Sequence, residues 1–470
     1  MTKQNICIIG AGPTGCAVFH ALKKHNLLDS FDVTIYEKQK TIGGLWNFNF
    51  HTGTDKNGEP VHSSMYRDLV INSPGENLEF ADYSYMKHFG KKITSFPVRE
   101  VMLNYFNGRY DYKELPEACR FNHAVNWVEF DENMDKFKVR VTDCATQIDE
   151  NLVFDYVFVC SGHYHKPNIV DFPGFENFTG RIMHSHEFRD GREFKNQTVL
   201  TIGGSKSSED IASLCVKFGA TKSIVCNREN RNSLFFRYKW PECNDEFRVE
   251  KREFKLKVDI DGKQEPLIKV GKDNTVIFPD GTETKVDAII VCTGYKHYYP
   301  FLEQSLRYTG PDCLYPKNFY KGMFWINNPK LAYMGVAKNI FTFPLFDSQA
   351  SYAAQILAGK IEMPEKSERI EENLSKREQM LKITDAMKTF KFQSDYVKEL
   401  NEITGDFPGI DPDKMNDNYV QFNLNKFKDV WGFRNKSHFS LIDGEESPVL
   451  TKRWAKRLDD GMEAYFEDLP

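Results

Sequence analysis

Short apolar runs that end on small residues set the pattern of this chain from its first turn. Ile6-Cys7-Ile8-Ile9 is an unbroken apolar stretch, which predicts a strand covered on both faces. Gly10-Ala11-Gly12-Pro13-Thr14-Gly15 follows at once, and Cys16-Ala17-Val18-Phe19 opens a segment that reads as helix. Val33-Thr34-Ile35-Tyr36-Glu37 is the next strand and ends in an acid. The same rhythm returns downstream. Residues 154–160 run into Ser161-Gly162, and residues 287–292 run into Thr293-Gly294-Tyr295. Between them lie a strand over 198–202, a small-residue turn, a helix over 209–218 stopped by Gly219, and a strand over 223–227. Beyond Tyr295 the periodicity weakens. Residues 341–346 read as aromatic and irregular, 348–357 as an amphipathic helix, and 365–382 as a solvated, charge-laced helix.

The first strand–turn–helix carries a dinucleotide fingerprint. Gly10 permits the tight turn, Gly12 lets backbone N–H groups approach a pyrophosphate, and Gly15 lets the helix pack closely. Glu37, about twenty residues on, suits a pair of ribose hydroxyls. The second turn is a degraded version, with Gly203, Ser205 and Ser208 at the fingerprint positions and Arg228 after the following strand. Two such units imply two coenzymes. The fold class expected is α/β with two Rossmann-like dinucleotide-binding domains, one inserted into the other. The boundaries expected are 1–165 and 295–470 for the outer domain, with a helical and aromatic C-terminal segment, and 166–294 for the inner one.

Composition narrows this further. At 470 residues there is room for two or three domains. With 62 basic against 67 acidic residues the net charge is −5, which argues against nucleic acid as a partner. Ten cysteines are scattered without a CxxC pair or zinc-like spacing, so reduced, buried thiols are expected. The N-terminus enters a strand directly, leaving no room for a signal peptide, and no apolar run approaches membrane-spanning length. A soluble cytoplasmic protein is expected.

Three further features carry candidate chemistry. Gly43-Gly44-Leu45-Trp46, just after Glu37, suggests backbone passing over a flat ligand with Trp46 as a wall, although an ordinary turn beside a core tryptophan fits equally. Asn72-Ser73-Pro74 places a carboxamide in an otherwise apolar stretch, where it could also merely start a turn. Phe178, Gly180, His184 and Phe188 stand between the two nucleotide units.

Together these residues resemble the flavin-containing monooxygenases. The spacing Phe178-x-Gly180-x-x-x-His184-x-x-x-Phe188 matches that family's fingerprint, and Gly43 to Trp46, Asn72-x-Pro74 and Cys292-Thr293-Gly294-Tyr295 fall where the family has them. The likeness runs from Ile6 to about Phe439. It is nearest to the soluble bacterial branch typified by trimethylamine oxidation, through residues 59–67, 78–83 and 238–241. The resemblance implies FAD on the first site and NADPH on the second. It also implies O2 as co-substrate and transfer of one oxygen atom, through a C4a-hydroperoxyflavin, to an amine nitrogen or sulfide sulfur of a small molecule. By carry-over, Gly10, Gly12, Thr14, Gly15, Glu37, Gln39, Leu45, Trp46, His62 and the backbone at Val125 would line FAD. Gly203, Ser205, Lys206, Ser208 and Arg228 would hold NADP, with Asn339 and Thr342 also at the cofactors. Asn72 would donate a hydrogen bond near flavin N5. Family members are often homodimers.

The chain also departs from that branch. Glu229 beside Arg228 would repel a 2′-phosphate, so weak discrimination against NADH is expected. Lys206 and Lys338 replace aromatic-cage positions and Phe422 a C-terminal Trp, which disfavours a small cation and points to a neutral or anionic substrate rather than trimethylamine. The bland alternative puts both lysines on the rim. Baeyer–Villiger oxidation of ketones is disfavoured by Phe188, where those relatives usually carry Trp. A flavin disulfide reductase would need a redox cysteine pair, a non-catalytic protein would take up no FAD, and an uncoupled NADPH oxidase stays open.

Overall fold

A computed structural model of the chain describes residues 3–56, 58–228, 248–254, 256–258, 264–266, 268–407 and 409–470. The apolar runs form the expected strands. β1 (Gln4–Ile9), β2 (Phe31–Glu37), β3 (Cys119–Phe121) and β4 (Tyr156–Val159) belong to one sheet. β5 (Arg181–His184), β6 (Thr198–Ile202), β7 (Lys222–Arg228), β8 (Val249–Phe254) and β9 (Ala288–Val291) form a second. β10 (Phe319–Tyr320), β11 (Phe324–Trp325) and β12 (Leu331–Tyr333) then return to the first.

Strand order states the topology. The first sheet runs β10-β11-β12-β4-β1-β2-β3, with β12 parallel to β4 through Leu331 opposite Val157. The second runs β8-β7-β6-β9-β5 and its pairs are all parallel. Every strand of the second sheet therefore lies in sequence between two hydrogen-bonded neighbours of the first. Crossovers covered on both faces explain why β9, and the core of β1, read as continuous apolar runs. The two connections between the folds run side by side: Lys166–Pro167 pairs antiparallel with Tyr295–Lys296. Asn168 donates to the carbonyls of Gly294 and Thr293, and the Thr293 hydroxyl donates to the Asn168 carbonyl.

Six helices matter for the site. α1 (Pro13–Lys24) follows the first turn and α2 (Lys206–Lys217) the second. α3 (Thr342–Leu357) packs on α1 and begins six residues before the expected helix. The aromatic stretch read as irregular is its first turns. Pro344 sits in the first turn, where its missing N–H costs no helix bond, while Phe343 and Leu345 are buried. α4 (Lys366–Lys382) is the charge-laced helix; Glu365 and Glu368 form its capping box, and Arg369 and Asn373 turn inward. α5 (Ala386–Thr404) and α6 (Pro412–Lys428) complete the C-terminal segment, each capped by an aspartate.

Candidate active site

Both turns are built on the same contact. Gly10 has φ +103°, and a Cβ there would lie 2.8 Å from the Cys160 carbonyl oxygen. At Gly203 it would lie 2.3 Å from the Cys292 carbonyl oxygen. The repeated Cys-Ser/Thr-Gly motif is thus the neighbouring strand end against which each turn is pressed. A Cβ on Gly15 would come 1.9 Å from the Gly10 carbonyl oxygen, so α1 stands hard against its turn. In the second unit Ser208 fills that position. Its hydroxyl is fully buried and bonds Thr201 Oγ at 2.9 Å. Its side chain therefore faces the sheet rather than the cleft, contrary to a side-chain role in holding pyrophosphate. Ser205 is the exposed N-cap of α2 and makes no side-chain cap.

Around the first turn the glycine pair supplies a second wall. Gly43 N–H donates to the Ala11 carbonyl at 3.0 Å, and a Cβ on Gly44 would lie 2.9 Å from Gly12 Cα. Glu37 is buried, and its two carboxylate oxygens accept from the N–H groups of Ala11 and Gln39, each at 2.8 Å. Burial pushes its pKa up, and those N–H bonds work against the rise. Leu45 and Trp46 are half-buried, with the Trp46 ring edge-on to Phe343 at 6.0 Å. Thr14 Oγ1 donates to the Cys160 carbonyl at 3.4 Å. Val125 is buried in the strand His123–Asp131, opposite Val141. Thr342 is the first residue of α3. Asn339 spends its carboxamide within the fold, donating to the Gln393 carbonyl at 3.1 Å and accepting from Phe341 N–H at 2.8 Å.

Histidines cluster about the two connectors, His163 against His297, His165 against Tyr298 and His184 against Tyr295. His62 stacks on His165 with ring centres 4.2 Å apart. Burial pushes the pKa of His62 well down, that of His165 to about 3, and those of His163 and His184 to about 4. Among the described residues, His62 Nδ1, His165 Nδ1, His184 Nε2 and Ser161 Oγ are buried without a hydrogen-bond partner. Unpartnered polar atoms beside a cradle that a Cβ would fill are what a polar, phosphate-bearing coenzyme satisfies. The residues fit FAD.

The segment holding Phe178 to Phe188 joins the two folds. Both His186 ring nitrogens face acceptors at 2.7 Å, the Val61 carbonyl and Glu187. Arg189 donates to the carbonyls of His186, Phe188, His51 and Ser63 at 2.7–3.1 Å. Phe188 is fully buried, edge-on to Tyr66 at 5.3 Å. Arg189 and Gln349, which accepts from Gly335 N–H at 2.9 Å, escaped the sequence reading. A glycine after the apolar run Leu331 to Met334 was the available signal for the second.

Asn72 sits at the meeting point. Its segment is held by the bridge between Val70 and Val98 and by Ile71 N–H donating to the Pro97 carbonyl at 3.2 Å, leaving the side chain exposed to the cleft. Lys206 Nζ donates to Asn72 Oδ1 at 3.2 Å and lies 5.7 Å from the Tyr419 ring centre. Burial lowers the Lys206 pKa to about 8, and Glu209 opposes the fall. Lys338 is exposed and paired with Asp312 at 2.9 Å. Phe422 is buried among Tyr419, Phe433 and Phe96. The first turn of α2 is itself anchored: Glu209 pairs with Lys426 at 2.7 Å, and Asp210 bonds Tyr66 and Arg434. The side chain of Arg228, and all of Glu229 and residues 238–241, lie outside the described residues.

Two dinucleotide folds, one inserted into the other and touching through Lys206 and Asn72, define a two-coenzyme oxidoreductase. The family model for flavin-binding monooxygenase-like proteins matches residues 3–234 and 256–421, and the chain belongs to that family. It is 40% identical over 462 residues to the trimethylamine monooxygenase of Methylocella silvestris, covering 98% of this chain and 97% of that one. The crystal structure of Tmm from Pelagibacter sp. strain HTCC7211 superposes with TM-score 0.90 at 36% identity, over 98% of this chain and 100% of that one. S-allyl-L-cysteine S-oxygenase from Allium sativum superposes with TM-score 0.74 at 26% identity, over 93% and 95%. The chain is an FAD- and NADPH-dependent monooxygenase acting on a small molecule. Among the described residues no helix is long and apolar enough to cross a membrane.

Proposed function

We propose that FAD lies along Gly10 to Gly15, Glu37, Gln39, Leu45, Trp46, His62 and Val125, with NADPH across Gly203 to Lys206. Held there, reduced FAD would supply the O2 chemistry at the expense of NADPH, with one oxygen atom passing to an amine nitrogen or sulfide sulfur and the other leaving as water. The chain's own residues bind, orient and shield. The α1 and α2 N-termini offer N–H groups to phosphates, Glu37 holds the turn and keeps lone pairs for ribose hydroxyls, Trp46 and Phe343 wall off water, and Asn72 directs an N–H into the cleft. The single observation behind this reading is the Lys206–Asn72 contact, which brings the second nucleotide turn against the Asn72 segment of the outer fold.

The substrate we propose is neutral or anionic and sulfur-bearing. Asp312 matches Lys338, so Lys206 is the cation that faces Asn72. A cationic amine about 5 Å from it would meet repulsion of about 3 kcal/mol at an effective dielectric of about 20. Arg228 next to Glu229 suits NADPH with weak discrimination against NADH. The domain boundaries proposed are 1–165, 166–294 and 295–470; the ladder joining Lys166–Pro167 to Tyr295–Lys296 supports them. We further read the enzyme as a cytoplasmic homodimer without a nucleic-acid partner, from family membership and the net charge of −5.

The test supplies NADPH and 18O2 with trimethylamine, dimethyl sulfide and a carboxylate-bearing thioether. One labelled oxygen in sulfoxide, with kcat/KM about tenfold above that for trimethylamine, is expected. Unlabelled product overturns the monooxygenase assignment, and efficient trimethylamine oxidation overturns the charge preference.

A further inference from the structure

We infer that Lys206 is a positioning residue for Asn72, fixing which end of its carboxamide faces the reacting groups. This rests on the proposed function of the same site. An ammonium has donors only, so the atom it meets at 3.2 Å must be the amide oxygen. The two N–H bonds are then the ones left for the cleft. Among the described residues the Asn72 side chain makes no other hydrogen bond, so nothing else in the protein distinguishes its two nearly isosteric orientations. Flipped, the same side chain would present a carbonyl oxygen. It would repel an electron-rich oxygen in transfer, where the N–H would stabilise it.

The ammonium is delivered from a rigid base. Lys206 is the first residue of α2, and the next turn is bolted to the C-terminal segment through Glu209–Lys426 and Asp210–Arg434 and to the outer fold through Tyr66. The charged groups facing Lys206 are Glu209 on its own helix, Lys338 from the loop after β12, and Lys426 from α6. Glu209 Oε1 pairs with Lys426 and Lys338 pairs with Asp312, while the acceptor that Lys206 Nζ engages is the Asn72 oxygen at 3.2 Å. Tyr419 presents its ring to the ammonium at 5.7 Å.

The experiment uses the FAD-loaded enzyme with dimethyl sulfide, a neutral probe on which attraction between Lys206 and substrate charge is silent. Flavin reduction by NADPH without oxygen, sulfoxide formed per NADPH, and hydrogen peroxide are measured for wild type, Lys206→Met, Lys206→Gln and Lys206→Arg. Lys206→Met is compared with wild type at saturating NADPH, because Lys206 stands at the turn assigned to that coenzyme and its loss is expected to raise the NADPH requirement. The variant's sulfoxide per NADPH should fall about tenfold, as for loss of one charge-assisted bond, with peroxide taking up the difference. Lys206→Arg, still donor-only, should restore most of the yield, and Lys206→Gln should fall between. Because burial sets the Lys206 pKa at about 8, wild-type yield should drop towards the Lys206→Met value above that pH, while Lys206→Arg stays level. Equal coupling in wild type and both neutral variants overturns the positioning role alone. A wild type that oxidises NADPH and labels no probe sinks the functional reading, and the role of Lys206 with it.

Discussion

The substitution Gly203→Ala would drive a methyl group to 2.3 Å from the Cys292 carbonyl oxygen, a contact that only a backbone shift relieves. That shift moves the turn we assign to NADPH and leaves the other turn alone. The expected result is normal flavin content, read from the visible absorbance of the purified protein, with KM for NADPH raised at least about tenfold, roughly 1.4 kcal/mol. Gly10→Ala meets the Cys160 carbonyl oxygen at 2.8 Å in a backbone conformation that side chains avoid. It should give flavin-poor protein instead. Retained flavin in Gly10→Ala together with unchanged NADPH kinetics in Gly203→Ala would separate the turns from the coenzymes. The glycines themselves were readable from spacing, because a dinucleotide turn imposes its residues locally. The orientation of Ser208 and the reach of Lys206 were not. Each depends on a partner distant in sequence or across the turn, Thr201 for one and Asn72 for the other.

At the scale of elements, the segment around His186 and Arg189 acts as a joint. Arg189 satisfies two carbonyls on each side of the boundary, and removing it buries those acceptors unpaired. Arg189→Met should cost on the order of 3 kcal/mol of stability in urea unfolding and slow flavin reduction more than it lowers flavin content. A variant with wild-type midpoint and reduction rate would reduce the joint to decoration. The strands were foreseen because burial on both faces leaves short apolar runs ending on small residues, and the two helices because each follows a dinucleotide turn. α3 was foreseen only from its seventh residue onward. Its opening Phe343, Leu345 and Phe346 pack around α1 and Trp46, so the apolar positions crowd both faces and the helical period disappears. α5 and α6 were hidden for a related reason, since their aromatics Phe390, Tyr396, Tyr419 and Phe422 serve several partners at once.

Across the whole molecule, the buried histidines tie stability to pH. His165 titrates near pH 3 in the fold, below the ordinary value of 6.5. The unfolded chain therefore takes up its proton first as the medium is acidified. Its contribution to stability is intact above about pH 6.5 and declines as pH falls towards 3, by about 1.4 kcal/mol per pH unit. Several carboxyls, among them Glu79 at about 7, are pushed the other way, so the comparison with His165→Asn isolates the effect. The difference in thermal midpoint between the two proteins should shift in favour of the variant between pH 7 and 5. A constant difference would show that His165 takes up its proton over the same pH range folded and unfolded.

The paired connectors at Lys166–Pro167 and Tyr295–Lys296 make the inner fold a cassette with adjacent ends. A short splice across that ladder would excise it, and another nucleotide fold with similarly spaced termini could be spliced in its place to change the reductant. What such a graft must reproduce is the docking face: a lysine and two acids opening its first helix, aligned to Asn72, Lys426 and Arg434. A transplant lacking that trio would have its electron donor tethered but out of alignment.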